Sequence, residues 1–175
     1  MQFNSTWLAS LRNAVFAFTL GMVSLSCMAT NEIRVSNEIR CIADNVYFEA
    51  RGEGREGWDA ILTVMHARVN DKRFPSTYCG VVKQKRRNTC QFSWVCNPNL
   101  RKKTSHRNTK LYKEILDYAL TFYQSPSYFI NKDIEGSLFY HNNKVKRTAL
   151  GKVKVGKAVK IGNHYFYKNH KAKAP

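Results

Sequence analysis

Negative charge is scarce in this chain: 12 Asp and Glu stand against 29 Lys and Arg over 175 residues, a formal net charge of +17 at pH 7. A field of that sign draws in anionic partners and repels basic ones. Other features are missing outright. No internal repeat is visible, which argues against a solenoid. No glycine-rich phosphate loop is present, which argues against a nucleotide-binding enzyme. The cysteines form no close C-x₂₋₄-C pair of the kind that structural zinc sites use. The apolar run Ala14 to Leu25 falls short of the roughly 20 residues that span a bilayer. A chain of 175 residues is long enough for one domain with a proper core and too short for two of ordinary size.

What is there begins with an export pattern. Arg12 is the only charged side chain of the first stretch, the apolar run follows, and Cys27-Met28-Ala29 supplies small residues. This fits a signal cleaved after Ala29; the alternatives are an uncleaved anchor or a lipid-modified Cys27. Removing residues 1–29 leaves a charge of +16, since only Arg12 is lost from the +17. For an exported protein the anionic partner is the cell envelope surface rather than nucleic acid, even though aromatics interleaved with Lys and Arg would suit stacking on bases. Cys41, Cys79, Cys90 and Cys96 remain, and an even count in an exported chain predicts two disulfides with three possible connectivities. Zinc held with His66, His106, His141 or His164 is the competing use, and a nucleophilic cysteine with His141 a third.

The domain boundaries expected are 1–29 for the signal, 30–40 for a polar lead-in, 41–168 for the folded domain and 169–175 for a basic tail. Ser36 or Asn37 is placed to cap a helix opening at Glu38. Its Ile39, Ile42, Ala43, Val46 and Tyr47 share one face, and Glu49 falls seven residues after Ile42 and three after Val46, on the same stripe. A carboxyl drawn out of water keeps its proton nearer neutrality and can protonate a leaving oxygen. The competing reading is a helix-end glutamate paired with Arg51 or Arg55. After a Gly-rich turn, Gly52 to Gly57, a second helix carries Trp58, Ile61, Leu62, Met65 and Val69 on one face, with Trp58 and Met65 expected in the core. Pro75 and Ser76 open a short helical turn bearing Val81 and Val82. Residues 83–107 read as a long loop stapled by disulfide. A third helix runs from Thr109 to Gln124 with Leu111, Tyr112, Ile115, Tyr118, Ala119 and Phe122 on one side, ended by Ser125-Pro126-Ser127. Strands at 137–141, 159–161 and 164–167, the last two joined by the turn Gly162-Asn163, form a small antiparallel sheet.

Four blocks in order carry a family resemblance: Glu49-Ala50-Arg51-Gly52-Glu53; Phe74 through Val82; Cys90-Gln91-Phe92-Ser93-Trp94-Val95-Cys96; and Phe139-Tyr140-His141 with Ile161 through Tyr167. From residue 40 onward the chain resembles the SleB/CwlJ-type cell wall hydrolases. It departs from them at Ala67-Arg68-Val69, where the family has Asn-Arg-Val, and at Lys144 to Leu150, where a Pro-x-Trp is usual. The resemblance implies an α+β, lysozyme-like helical catalytic domain with a small C-terminal antiparallel sheet. It implies an exported enzyme, in the periplasm or cell wall, that cleaves the glycan strands of peptidoglycan as a lytic transglycosylase.

Glu49 is then the catalytic acid, with Tyr47 just before the motif and Arg51 within it against the substrate. Gln91, Phe92, Ser93 and Trp94 are expected to form a groove wall, since an amide, a hydroxyl and two aromatic faces suit a sugar. Tyr140 and His141 are expected to border the groove. If two carboxylates act, Glu53 and Glu56 are the nearest second candidates, although Glu53 could simply balance Arg51 or Arg55. A monomer needing no metal or cofactor is expected. The rival classes are a zinc or Cys-His peptidoglycan amidase or endopeptidase, and a non-enzymatic basic module binding the wall or nucleic acid.

Overall fold

The computed structural model describes residues 36–102, 105–144 and 155–169. It divides into the units Met1–Asn37 and Glu38–Pro175, and the second holds the site. The expected signal, the stretch 145–154 and all but the first residue of the basic tail lie outside the described residues. Among the described residues no helix is long and apolar enough to cross a membrane.

Helix α1 ends at residue 50 and is already helical at 36, so neither Ser36 nor Asn37 caps a start at Glu38. Ile42, Ala43, Val46 and Ala50 are buried at the expected spacing, each large aliphatic contributing about 1.5–3 kcal/mol by leaving water. The corner to α2 (Gly54–Val69) is tight. Glu53 N–H and the Trp58 indole N–H both donate to the Ala50 carbonyl, at 3.0 and 3.1 Å. Trp58 thus satisfies a helix-end acceptor while filling the core. The helix α2 begins at Gly54, before Trp58, and the φ of +66° at Gly54 turns the chain at the corner in a conformation that other residues adopt at a cost.

Thr77 caps α3 (Tyr78–Lys83) by accepting from Gly80 N–H, so that helix begins after Pro75 and Ser76 rather than with them. The long loop expected over 83–107 is more ordered than its sequence suggests. It holds the two-residue ribbon β1 (Lys85–Arg86) and β2 (Thr89–Cys90), then the short helices α4 (Ser93–Cys96) and α5 (Pro98–Lys102) and one 3₁₀ turn. Two disulfides form, Cys41–Cys79 and Cys90–Cys96, spanning 38 and 6 residues. Loop-closure entropy puts their stabilisation near ~4 and ~2 kcal/mol. The first ties α1 to α3; the second pins the ribbon to α4. With all four cysteines paired, no thiol is left among the described residues for a zinc site or a Cys-His nucleophile.

Helix α6 (Lys110–Gln124), capped by Thr109, buries Tyr112, Ile115, Ala119 and Phe122. The sheet follows, in the order β3-β5-β4, with β3 (Ser137–Asn142), β4 (Val155–Ile161) and β5 (His164–Asn169) all antiparallel. The expected Gly162-Asn163 turn joins β4 to β5. Strand alternation sends Tyr140, His164 and Phe166 to the face whose Phe166 joins the main core. His141, Tyr165 and Tyr167 go to the other.

Candidate active site

Glu49 sits in the last turn of α1, where the helix carbonyls disfavour negative charge. It is half-buried. The Tyr140 hydroxyl, brought in from β3, donates to Glu49 Oε2 at 3.0 Å. Burial is the largest influence on the Glu49 carboxyl and raises its pKa. The Tyr140 hydrogen bond and the electrostatic influence of His164 and Arg68 act against that rise, and the neighbouring charge of Glu53 adds to it. The balance is upward. Tyr140 itself is pushed well above the ordinary phenol value, by burial first and the Glu49 charge second, so it remains a fixed donor.

Arg68 is a fully buried cation on α2. Its Nε–H donates to the Leu138 carbonyl at 2.9 Å, and its guanidinium lies 5.4, 5.5 and 5.8 Å from the ring centroids of Phe74, Phe92 and Tyr140. Such aromatic faces replace part of the lost hydration of a cation. Burial lowers its pKa, while Tyr140 and Glu49 pull it back up; a guanidinium stays charged at any working pH.

Glu53 caps the start of α2 without bonding into the helix. It reaches across 111 residues to His164 instead, whose Nδ1 lies 3.1 Å from Oε1 and 3.3 Å from Oε2. Asn163 N–H donates to Oε2 at 3.2 Å. Both side chains of the pair are nearly closed to solvent, at 7% exposure for Glu53 and 4% for His164. Two glycines make room for it. A Cβ on Gly57 would lie 2.4 Å from Glu53 Cβ, and one on Gly162 would lie 2.3 Å from Glu53 Oε2. Glu53 therefore balances neither Arg51 nor Arg55: Arg55 pairs with Glu114 at 3.0 Å, and Arg51 lies over the Tyr47 ring. Glu56 is exposed on the first turn of α2.

An aromatic shelf adjoins Glu49 along α1. Phe48 stacks on Trp94 with centroids 4.6 Å apart, and Tyr47 stacks on His106 at 4.8 Å. The Trp94 indole N–H donates to Asn45 Oδ1 at 3.3 Å. Phe48, Trp94, His106, Asp44 and Arg107 border a hollow of ≈ 380 Å³. Asp44 in its wall is already satisfied, accepting from Tyr112 at 2.7 Å and from Arg107 at 2.6 Å.

Of the site residues expected from sequence, Tyr140 touches Glu49 directly, and Tyr47, Arg51 and Trp94 gather on the shelf. Ser93 is exposed at the start of α4, and Gln91 is exposed on a different groove. Phe92 is buried beneath Arg68, so it is core and presents no face to a ligand. His141 is excluded from Glu49's side by strand alternation; its Nε2 meets Tyr167 Oη at 2.9 Å. Arg68, Phe48 and His164 were not assigned to the site from sequence. A signal for Arg68 existed, since it continues the buried Ile61, Val64 and Met65 spacing on α2 and so places a charge on the apolar stripe. His164 lies in one of the blocks that carry the family resemblance, but nothing in the sequence joined it to Glu53, because that partner is distant in the chain. Among the described residues no three His, Cys, Asp or Glu side chains gather to hold a metal ion.

A family model described as Cell Wall Hydrolase matches residues 52–167, more than half of the chain. Glu53, Arg68, Tyr140 and His164 fall inside that stretch, and Glu49 just before it. A spore cortex-lytic enzyme of Bacillus subtilis (strain 168) is 47% identical over 47 residues, which are 27% of this chain and 15% of that protein. The match thus spans under a fifth of that relative's length. The catalytic domain of SleB, a germination-specific lytic transglycosylase from Bacillus anthracis, superposes with a TM-score of 0.52 at 26% identity, over 75% of this chain and 94% of that one. The lysozyme-like helical architecture with its small antiparallel sheet is shared with that domain. The catalytic domain of the Bacillus cereus SleB protein gives a TM-score of 0.42 at 24% identity, over 75% of this chain and 90% of that one.

Proposed function

We propose, from the premise that this chain belongs to the cell wall hydrolase family, that it cleaves the glycan strands of peptidoglycan as a lytic transglycosylase with Glu49 as its one acid and base. Protonated Glu49 gives its proton to the oxygen bridging muramic acid C1 to the next sugar, and the C1–O bond breaks. The carboxylate left behind takes the proton from the muramic acid's own C6 hydroxyl as that oxygen bonds to C1. An anhydro ring closes, no water is consumed, and Glu49 ends protonated as it began.

The observation that carries the one-carboxylate reading is the Glu53–His164 clasp. A two-carboxylate glycosidase needs a second carboxylate free to attack the sugar or to activate water. The nearest candidate here is closed to solvent and bonded to His164 and to Asn163 N–H. The raised pKa of Glu49 keeps the acid loaded nearer neutrality. Tyr140 orients the carboxyl, and the Phe48–Trp94 shelf offers an apolar face to a sugar ring.

In this reading the enzyme works as a monomer outside the cytoplasm, where disulfides persist. Its positive charge holds it to the anionic envelope. Mass analysis of products from purified peptidoglycan is the test: anhydromuramic ends are expected, and ordinary reducing ends would replace the proposal with hydrolysis. Retention on peptidoglycan should fall as salt rises, because exposed charges are screened within ~8–10 Å at physiological ionic strength.

A further inference from the structure

The β1–β2 ribbon borders a second groove, of ≈ 800 Å³, with Lys85 lining both it and the shelf hollow. Lys85, Arg86 and Arg87 line it; all three are exposed, and none has an ion-pair partner among the described residues. Arg73 also reaches the groove, but its guanidinium is spent on Asp71, to which it donates at 2.8 and 2.6 Å. The apolar wall is Phe74 and Phe139, with ring centroids 6.4 Å apart. Gln84 lines the groove too, and its side-chain oxygen is withdrawn from water without a hydrogen-bond partner. The platform is held in place, since Cys90–Cys96 anchors β2 and Gln91 N–H donates to the Gln84 carbonyl at 2.9 Å.

The groove also adjoins Glu49's surroundings. Phe74 carries the Arg68 guanidinium on its ring, and the charge of Glu49 acts on that guanidinium. A ligand for this hollow must bring more than one negative charge for three unpaired cations, an N–H for the unpaired acceptor, and an aliphatic part for the phenylalanines. A phosphodiester polymer brings the charge alone. An acidic peptide brings all three.

We propose that this groove binds the acidic stem peptide of peptidoglycan, its carboxylates on Lys85, Arg86 and Arg87. The inference rests on the reading of the chain as a peptidoglycan enzyme, because the stem peptide hangs from the muramic acid whose glycosidic bond Glu49 would break. Charge-assisted bonds to carboxylate are the strong ones, and cations on a fixed ribbon are partly preorganised for them.

Two measurements test it. The full chain is titrated calorimetrically with the synthetic tripeptide L-alanyl-γ-D-glutamyl-meso-diaminopimelate and with its carboxamide form. The same titrations are run on the double variant Lys85→Glu, Arg86→Glu, whose melting temperature is checked first. Amidation and charge reversal should each weaken binding about tenfold or more, which is about 1.4 kcal/mol. Separately, kcat/KM is compared on peptide-bearing glycan and on glycan stripped of its peptides, and the double variant should lower the ratio of the two about tenfold. If the double variant melts early, Arg86→Gln takes its place with the same direction of effect.

Tripeptide binding that is indifferent to both changes overturns the proposal. So does a glycerol phosphate polymer that binds tighter than the tripeptide and loses as much on charge reversal. If the wild-type protein binds the tripeptide through these residues yet cleaves no glycan, the catalytic reading fails and the groove stands.

Discussion

Glu49 and Glu53 lie one helical turn apart in sequence and have been given opposite surroundings. Among the described residues a single neutral hydroxyl donates to the Glu49 carboxyl, and His164 and Arg68 act to lower its pKa without a direct bond in the structure; burial wins, and the proton is held more tightly than usual. Around Glu53 an imidazole and a backbone N–H take up the oxygens directly, and two glycines shape the space. The same residue type thus holds its proton more tightly in one place and clasps the α1–α2 corner to the β4–β5 turn in the other. Chemistry follows from the partners each carboxyl lacks as much as from those it has.

The sharpest way to break this comparison is Glu49→Gln against Glu53→Gln. General acid–base assistance contributes ~10²–10⁴-fold, so Glu49→Gln should lose that much glycan cleavage while folding normally. The stability effect has a definite sign. A carboxyl whose pKa is raised by folding contributes stability that is present at low pH and lost as pH rises through the folded value. Wild-type protein should therefore lose stability relative to Glu49→Gln as pH climbs past the ordinary carboxylate range, measured by melting across a pH series. Under the one-carboxylate mechanism Glu53→Gln, assayed well below its melting temperature, should cost far less activity. Equal damage from both changes, with reducing-end products, would refute that mechanism.

Stability should reverse the ranking. Glu53→Ala leaves His164 buried without its partner, and breaking a buried pair of this kind costs ~3–5 kcal/mol; Glu53→Gln, which still accepts from Asn163 N–H, should cost less. Chemical denaturation of the two variants measures the difference. Gly162→Ala sharpens the point without touching either carboxylate. Its φ of +53° and the 2.3 Å approach of a new Cβ to Glu53 Oε2 should cost about 1–3 kcal/mol through backbone strain and displacement of the carboxylate. A Gly162→Ala protein as stable as wild type would show that the turn does not hold the clasp.

The smallest effect is expected at Tyr140. Removing its hydroxyl in Tyr140→Phe takes away the hydrogen bond that lowers the Glu49 pKa, so the alkaline limb of the pH–activity profile should move upward. The loss of one net hydrogen bond should cost about 1 kcal/mol of stability. A limb that stays in place would mean that Tyr140 does not tune the acid.

Much of this was legible in local sequence. The stripe through Ile42, Val46 and Glu49, the helices around Trp58 and Ile115, and the hairpin at Gly162-Asn163 all depend on spacing within a few residues, where periodicity and turn chemistry act. Helix starts shifted to where the local turn allows them, α2 to the corner that Gly54 turns with its positive φ and α3 to Tyr78 behind the Thr77 cap. The region 83–107 was less legible. Its elements run two to five residues, too few to show a period, and the Cys90–Cys96 bond helps to order them. Residue type also misled at Phe92 and His141, because an aromatic or imidazole side chain looks the same in a core as on a groove.

The sequence by itself determined the basic charge, the even set of cysteines and the helix face on which Glu49 lies, since composition and 3.6-residue periodicity are properties of the chain alone. Tertiary structure decided which cysteines pair, that Glu53 belongs to His164 rather than to a neighbouring arginine, and that Tyr140 rather than His141 meets Glu49. The physical reason is distance along the chain. Tyr140 lies 91 residues from Glu49, and His164 lies 111 from Glu53; only packing of the sheet against the helices brings them within hydrogen-bond reach, and only the alternation of a strand chooses between two adjacent side chains.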